Sequence, residues 1–261
     1  VIHWESFIFN AIAEGMGPLL YWHCHELDIL STLTDFPYKT LTRLYYETLI
    51  INRYMMKSLE KLGKALTKEG IPLMVLKGAS LLNHVYNNNG LRPMEDIDLM
   101  VRPEDLKSVK SALEKMGFFS DRLYKNTYKK GIIKFDLHTD LFSGDRISSR
   151  KNLVALTPQE IWDRAELIGN NNLLIFRPSL YDNLIAICFH ILKHSLNRLI
   201  WFVDIKEIIK RYALKFDWEY FVWHCKRAEV TRCVLYIIIL TKHLLDCLLY
   251  TSDAADELDG V

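Results

Sequence analysis

Cysteine is scarce in this sequence, and its spacing argues against a zinc ribbon or a disulfide framework. No two cysteines form a Cys-x-x-Cys pair, and their number is odd. We therefore expect reduced thiols, which favours a cytoplasmic protein over a secreted one. The five cysteines are Cys24, Cys188, Cys225, Cys233 and Cys247.

An excess of charge of either sign is also missing. The chain has 33 basic and 32 acidic residues, a formal net charge of +1, and no long Lys/Arg run. Proteins that bind nucleic acid usually carry a basic face, so we expect no strong nucleic-acid partner.

The most apolar stretch, 233–250, is interrupted by Lys242, His243 and Asp246, which predicts a packed helix and no membrane span. Residues 1–10 have no basic start, so we expect no signal peptide.

A pair of carboxylates is the most informative feature of the sequence. Asp96 and Asp98 lie two residues apart in a largely apolar stretch, 92–101. On a strand, such positions point to the same face, and two like charges held that close are unfavourable without a cation between them. Carboxylate oxygens suit Mg²⁺, which favours a few carboxylates together with substrate phosphates.

Residues upstream of this pair have the pattern of an anion-binding turn. A short apolar run, 71–76, predicts a buried strand, and 79–86 predicts a helix. A strand, a glycine turn and a helix direct free backbone N–H groups at an anion. We expect Gly78 to let a phosphate approach closely and Ser80 to cap the helix or contact a phosphate. Lys77 and Arg92 could offset phosphate charge, although a surface lysine and a loop-anchoring arginine are the simpler interpretations.

A third carboxylate follows on a later strand. The segment 134–138 alternates apolar and polar residues, so Asp136 and His138 should share one face. Together with the first pair, Asp136 would complete a two-metal site. His138 could orient an acid, bind phosphate, relay a proton or be a structural histidine; we favour an indirect role beside the metal ligands.

Taken in order, these segments resemble the nucleotidyltransferase signature of the DNA polymerase β superfamily, and more closely its uncharacterised bacterial branch. The resemblance extends over about residues 40–245 and rests on five segments. They are Leu76-Lys77-Gly78, Tyr86, Leu91-Arg92-Pro93-Met94, Asp96-Ile97-Asp98-Leu99 and Asp136-Leu137-His138, with further similarity around Phe189-His190 and Trp201 to Ile205.

The resemblance implies a Mg²⁺-dependent (or Mn²⁺-dependent) transfer of a nucleoside monophosphate from an NTP to a hydroxyl, with release of pyrophosphate. It implies Asp96, Asp98 and Asp136 as catalytic and metal-binding residues. The acceptor would be a small molecule or a protein. The implied nucleotide-binding residues are Lys77, Gly78, Ser80 and Arg92.

Two other functions remain open at this stage. The superfamily usually has Gly-Gly or Gly-Ser after the strand, whereas here Ala79 separates Gly78 from Ser80; this favours a non-catalytic nucleotide-binding or protein-interaction module as the alternative. His190 and His194 share a helix face, as in zinc hydrolases, but no glutamate lies between them. Contacts to substrate or within a helical domain, with Asp204 as an acceptor, fit that pair better.

The predicted fold class is α+β, with a polymerase-β-like nucleotidyltransferase core of a small mixed sheet and helices. A helical segment (1–38) precedes this core (39–177), and an α-helical domain (178–246) follows it. We expect one long helix over 40–69, further strands near 122–129, 132–139 and 172–177, and a polar loop over 143–157.

Both ends of the sequence have unusual features. Val1 is not a natural start, so we expect a trimmed N-terminus. Residues 247–261 resemble one reading frame of a transposon-derived sequencing adapter, and we expect that tail to be artefactual and the C-terminal domain to be truncated.

Overall fold

The computed structural model describes residues 3–142, 153–169 and 172–245. Most of the loop predicted over 143–157, and the predicted adapter tail 247–261, lie outside the described residues.

The N-terminal part consists of helices that pack on one another and then reach the sheet. The short helices α1 (Trp4–Ala13) and α2 (Gly17–Glu26) pack against the first half of α3 (Asp35–Thr67). Apolar side chains recur at helical spacing along α3, as expected for a helix with one buried face. Leu41 and Tyr45 contact α1 and α2, whereas Leu59 and Leu62 contact the sheet. The helix starts five residues earlier than predicted, and the chain leaves it through Gly70 at φ +72°.

A seven-stranded mixed sheet forms the centre of the fold, in the order β3-β4-β5-β2-β1-β7-β6. β2 runs parallel to β5 and antiparallel to β1, and β1 runs parallel to β7. The mixed sheet confirms the predicted α+β class. The strands are β1 (Leu73–Val75), β2 (Ile97–Met100), β3 (Phe119–Ser120), β4 (Thr127–Lys130), β5 (Ile133–His138), β6 (Glu166–Leu167) and β7 (Ile175–Arg177).

Three shorter helices, α4 to α6, lie between strands along the chain. α4 (Lys77–Leu81) follows β1 directly and continues into a π-helical turn (Leu82–Tyr86), and α5 (Leu106–Lys115) packs on α3. α6 (Pro158–Asp163) begins at a capping box formed by Thr157 and Glu160.

The C-terminal half is helical, as predicted. It contains α7 (Leu180–Lys193), α8 (Leu199–Tyr212), α9 (Trp218–Arg227) and α10 (Thr231–Leu245). Within the described ranges, none of the helices is both long and apolar enough to cross a bilayer.

Side chains alternate between the two faces of the sheet along each strand, so each face packs against a separate hydrophobic cluster. On β2, Leu99 packs with α3 and α5, whereas Met100 packs with side chains of α7 and α8. Asp98 lies two residues before Met100 and so points to the face covered by the helical half. The carboxylate of Asp98 therefore faces the junction between the core and the helical half.

Candidate active site

The pairing of β2 with β5 brings two acids side by side. Asp98 lies opposite Asp136 in this parallel pair, and Met100 lies opposite His138. Leu137, between the two polar residues of β5, points into the core on the other face. Asp98, Asp136 and His138 therefore share the face that meets the helical half.

His138 bridges the two carboxylates. Its Nε2 lies 2.8 Å from Asp98 Oδ1 and 3.3 Å from Asp136 Oδ2, and the side chain is almost fully buried. Thr127 Oγ1 on β4 donates a 2.8 Å hydrogen bond to Asp136 Oδ1, which fixes the carboxylate. One potential ligand atom from each of the three residues lies within 4.8 Å of the other two. Two carboxylates and an imidazole form a donor set that fits a divalent cation.

Lys77 supplies the positive charge nearest to the acids. Its Nζ lies 2.5 Å from Asp98 Oδ1, and its backbone has φ +49°, an unusual conformation for a side-chain-bearing residue. Burial raises the pKa of Asp98, but the Lys77 ammonium and the His138 imidazole outweigh burial and hold that pKa well below its ordinary value. Burial lowers the pKa of His138, yet hydrogen bonds to Asp136 and Asp98 raise it above its ordinary value. The carboxylate of Asp98 therefore stays ionised beside Lys77 and His138.

Asp96 takes a different position from the one its sequence suggests. It lies outside the three-residue cluster and receives a 2.8 Å hydrogen bond from Lys134 Nζ on β5. Burial and the charge of Asp98 raise the pKa of Asp96, and Lys134 opposes them only partly. The structure thus groups Asp98 and Asp136 with His138, while Asp96 lines the same cleft and its metal-binding role stays a prediction.

Arg92 forms a buried connection to the helical half. Its Nη2 lies 2.8 Å from Asp204 Oδ2 and its Nε 3.2 Å from Asp204 Oδ1, while Nη1 donates to the Pro93 carbonyl. Tyr86 donates a 2.5 Å hydrogen bond to the same carboxylate. The pairing agrees with the loop-anchoring interpretation of Arg92, whose side chain also lines the cleft, and its expected phosphate contact stays a prediction. Asp204, expected as an acceptor for His190 or His194, pairs instead with Arg92 and Tyr86.

The pairing of Arg92 with Asp204 was not predicted, because the two residues lie far apart in the sequence. Asp204 lies on α8, 112 residues after Arg92. The buried Asn52 of α3 fixes the loop from the other side, since its Nδ2 donates to the carbonyls of Asn89 and Arg92. Tyr86 and Arg92 both stood in the segments that carried the family resemblance, which was the available signal for part of this network.

Gly78 and Ser80 stabilise the turn between β1 and α4. A Cβ on Gly78 would lie 2.1 Å from Arg92 Nη1, so glycine is required where the guanidinium crosses the turn. Ser80 is 1% exposed, and its Oγ donates to the Lys77 carbonyl at 2.7 Å. Its hydroxyl therefore holds the turn that presents Lys77, and the expected contact of Ser80 with a phosphate stays a prediction.

Alanine at position 78 is expected to destabilise the protein by about 1–3 kcal/mol or more, the usual range for overpacking a rigid site. The added methyl group must displace a buried guanidinium whose pairing with Asp204 would be disturbed. Denaturant unfolding followed by circular dichroism measures the loss. Gly131→Asn is the control: Gly131 has φ +57° and open space around it, and asparagine tolerates that conformation. Equal stability losses in the two variants would contradict the packing explanation.

His190 and His194 contribute to the opposite wall of the cleft. Their ring centroids lie 4.5 Å apart, and the ring of Trp201 lies 4.5 Å from that of His190. Burial, together with the charges of Lys77 and His194, lowers the pKa of His190 to about 2, so its ring is neutral. Among the described residues, these histidines belong to no cluster with ligand atoms close enough for a metal, which leaves the zinc alternative without support.

Together the two walls enclose a cleft of about 380 Å³, within the range of small-molecule sites. A salt bridge of 2.5 Å between Glu95 Oε1 and Arg198 Nη2 joins the walls. The sequence does not mark Lys193, Asn197, Arg198 and Trp201 as cleft residues, because only the fold shows how α7, α8 and the loop between them meet the sheet. The core side of the cleft includes Lys77, Gly78, Asp96, Asp98, Asp136 and His138, and the helical side His190, Lys193, His194, Asn197, Arg198 and Trp201.

Comparison with known proteins identifies the family. No curated protein matches the chain at a significant level. A family model described as uncharacterised nucleotidyltransferase matches residues 1–246, a range that includes the cleft residues named above and the helices α1 to α10 of the described residues. With paired acids on adjacent strands and a match over nearly its whole length, this chain belongs to that nucleotidyltransferase family.

Proposed function

We propose that the protein transfers a nucleoside monophosphate from an NTP to a hydroxyl-bearing acceptor and releases pyrophosphate, with Mg²⁺ or Mn²⁺ as cofactor. The observation that carries this proposal is the pairing of Asp98 with Asp136 across parallel strands, in a cleft that also contains Lys77. Membership of a nucleotidyltransferase family supports the reaction class.

In this reaction one phosphorus–oxygen bond replaces another. The acceptor oxygen bonds to the α-phosphorus, the bond from that phosphorus to the oxygen bridging to the β-phosphate breaks, and pyrophosphate leaves. Asp98 and Asp136 would hold the cofactor, and Asp136 would help to activate the acceptor hydroxyl, whose proton goes to solvent. The bound ion supplies charge neutralisation at the phosphates and a lower pKa of the attacking hydroxyl.

The remaining cleft residues would position the triphosphate. Lys77 contacts the carboxylate of Asp98, so its ammonium would lie close enough to the metal-binding residues to bind the phosphates of the NTP. Arg198, in the facing wall, would offer a further guanidinium to the triphosphate, beside its salt bridge with Glu95. Catalysis would come chiefly from positioning and electrostatics, as in phosphoryl transfer generally.

The acceptor is proposed to be a small molecule or a protein side chain. A net charge of +1 gives no general attraction to nucleic acid. The four described cysteines are free thiols, which supports the inference of a reducing, cytoplasmic location.

A non-catalytic nucleotide-binding or protein-interaction module is the second candidate function. Two observations favour it: Ser80 is turned into the protein, and Arg92 is engaged by Asp204. Of the four nucleotide contacts implied by the family resemblance, Ser80 thus lies outside the open cleft, whereas Arg92 lines the cleft but is paired with Asp204.

Release of pyrophosphate separates the two functions. The protein is incubated with each of the four NTPs, Mg²⁺ or Mn²⁺, and pools of small hydroxyl compounds or unmodified proteins. We expect pyrophosphate in at least one pool, with a matching nucleotidylated product detected by mass spectrometry. An NTP that binds with the metal and yet yields no pyrophosphate in any pool would favour the binding module.

A further inference from the structure

His138 has contacts that a merely structural histidine does not need. Both carboxylate contacts involve the same atom, Nε2, and the side chain is 2% exposed. The imidazole therefore lies between the two acids that the proposed function assigns to the cofactor. It occupies the place of a third ligand.

The distances fit one divalent ion bound by all three residues. Neighbouring ligand atoms of an octahedral ion with bonds of about 2.1 Å lie about 3.0 Å apart. The separations here are 2.8 Å from Nε2 to Asp98 Oδ1 and 3.3 Å from Nε2 to Asp136 Oδ2. Small side-chain shifts suffice to direct the three atoms at a common centre. The backbone already supports this arrangement, because Asp98 pairs with Asp136 in the sheet and His138 follows on the same face.

We propose that His138 Nε2 is a direct ligand of the ion held by Asp98 and Asp136, and that this nitrogen makes the site prefer Mn²⁺ over Mg²⁺. The inference rests on the metal site of the proposed function and deepens it. Mg²⁺ binds oxygen ligands and keeps several waters. Imidazole suits first-row transition metals, a series to which Mn²⁺ belongs and Mg²⁺ does not, and Mn²⁺ also takes carboxylate ligands.

The preference follows from the donor set. A site with carboxylates alone, as the sequence predicted for Asp96, Asp98 and Asp136, suits Mg²⁺. In the structure Asp96 is paired with Lys134 and lies outside the cluster, so a nitrogen takes the place of one expected oxygen. The sequence predicted an indirect role for His138 beside the metal ligands, whereas the present proposal makes it a ligand that determines which metal the site prefers.

Pulsed electron paramagnetic resonance on the Mn²⁺-loaded full chain, without nucleotide or acceptor, tests this inference. A bound imidazole nitrogen modulates the Mn²⁺ spin echo, and uniform ¹⁵N-histidine labelling changes the modulation without any substitution. We expect ¹⁴N modulation in the wild type, its replacement by the ¹⁵N pattern on labelling, and its loss in His138→Gln. His194→Gln, in the same cleft but outside the cluster, should keep it.

Metal competition gives a second measurement. We expect the wild type to bind Mn²⁺ at least about tenfold more tightly than Mg²⁺, and His138→Gln to lose most of that ratio, in line with the 10–100-fold effects of altered metal environments. Mn²⁺ bound without histidine modulation, or no Mn²⁺ binding at all, would overturn the inference. Neither experiment contains a nucleotide, so their outcome is independent of the transferase reaction. If the bound ion has a nitrogen ligand but the protein releases no pyrophosphate, the transferase proposal is wrong and this inference is still supported.

Discussion

Pyrophosphate release is expected to fall at least about 10³-fold when Asp98 is replaced by asparagine, a loss typical of removing a catalytic metal ligand. The carboxylate contacts both Lys77 and His138, and an amide carries no charge to balance either of them or a divalent ion. The side chains are nearly equal in volume, so the fold should persist. The rate of pyrophosphate release under single-turnover conditions measures the effect.

Asp35→Asn is the matched control for this substitution. Asp35 lies on the surface of α3 and pairs with Lys39, and exposed pairs of this kind contribute little to stability. We expect unchanged pyrophosphate release in that variant. A normal rate in Asp98→Asn, with circular dichroism showing a native fold, would remove Asp98 from the metal site.

Methionine in place of Arg92 is expected to lower the free energy of unfolding by about 3–5 kcal/mol, the usual cost of leaving a buried charge without its partner. Asp204 is fully enclosed, and after the substitution only Tyr86 would still donate to it. Because this pair joins the core to the helical half, the variant should also bind nucleotide more weakly. Denaturant unfolding measures the stability, and titration calorimetry measures the binding.

A double substitution isolates the charge from the packing. Arg92→Met combined with Asp204→Asn removes both charges and keeps an acceptor for Tyr86, so most of the lost stability should return. Lys64→Met breaks the exposed pair of Lys64 with Glu60 on α3 and should have little effect. A double variant as unstable as Arg92→Met alone would show that the loss came from packing.

Local periodicity predicted the central part of the site. Because side chains alternate along a strand, Asp136 and His138 had to share a face, and both β2 and β5 were expected from their apolar alternation. The long helix before the core and the helical half after it followed from helical spacing in the same way. The structure confirms the α+β class with a mixed sheet, whereas the domain boundaries at 38, 177 and 246 stay predictions.

Long-range pairing was not predictable from the same patterns. The sequence does not show that β2 lies parallel to β5 in a register that sets Asp98 against Asp136, nor that Thr127 reaches that acid. The Arg92–Asp204 pair depends on how α8 docks on the sheet. The sequence also does not show that Lys134 on the neighbouring strand pairs with Asp96, and the metal that Asp96 was expected to share with Asp98 stays a prediction.

Titration calorimetry of ATP, GTP, CTP and UTP, with and without Mg²⁺ or Mn²⁺, tests the central claim most directly. The comparison is between the wild type and Asp98→Asn. A metal-dependent nucleotide site at Asp98 and Asp136 predicts that at least one NTP binds the wild type only when the metal is present, and that Asp98→Asn loses this binding. Absence of binding for all four NTPs in the wild type, or equal binding in the two proteins, would contradict it.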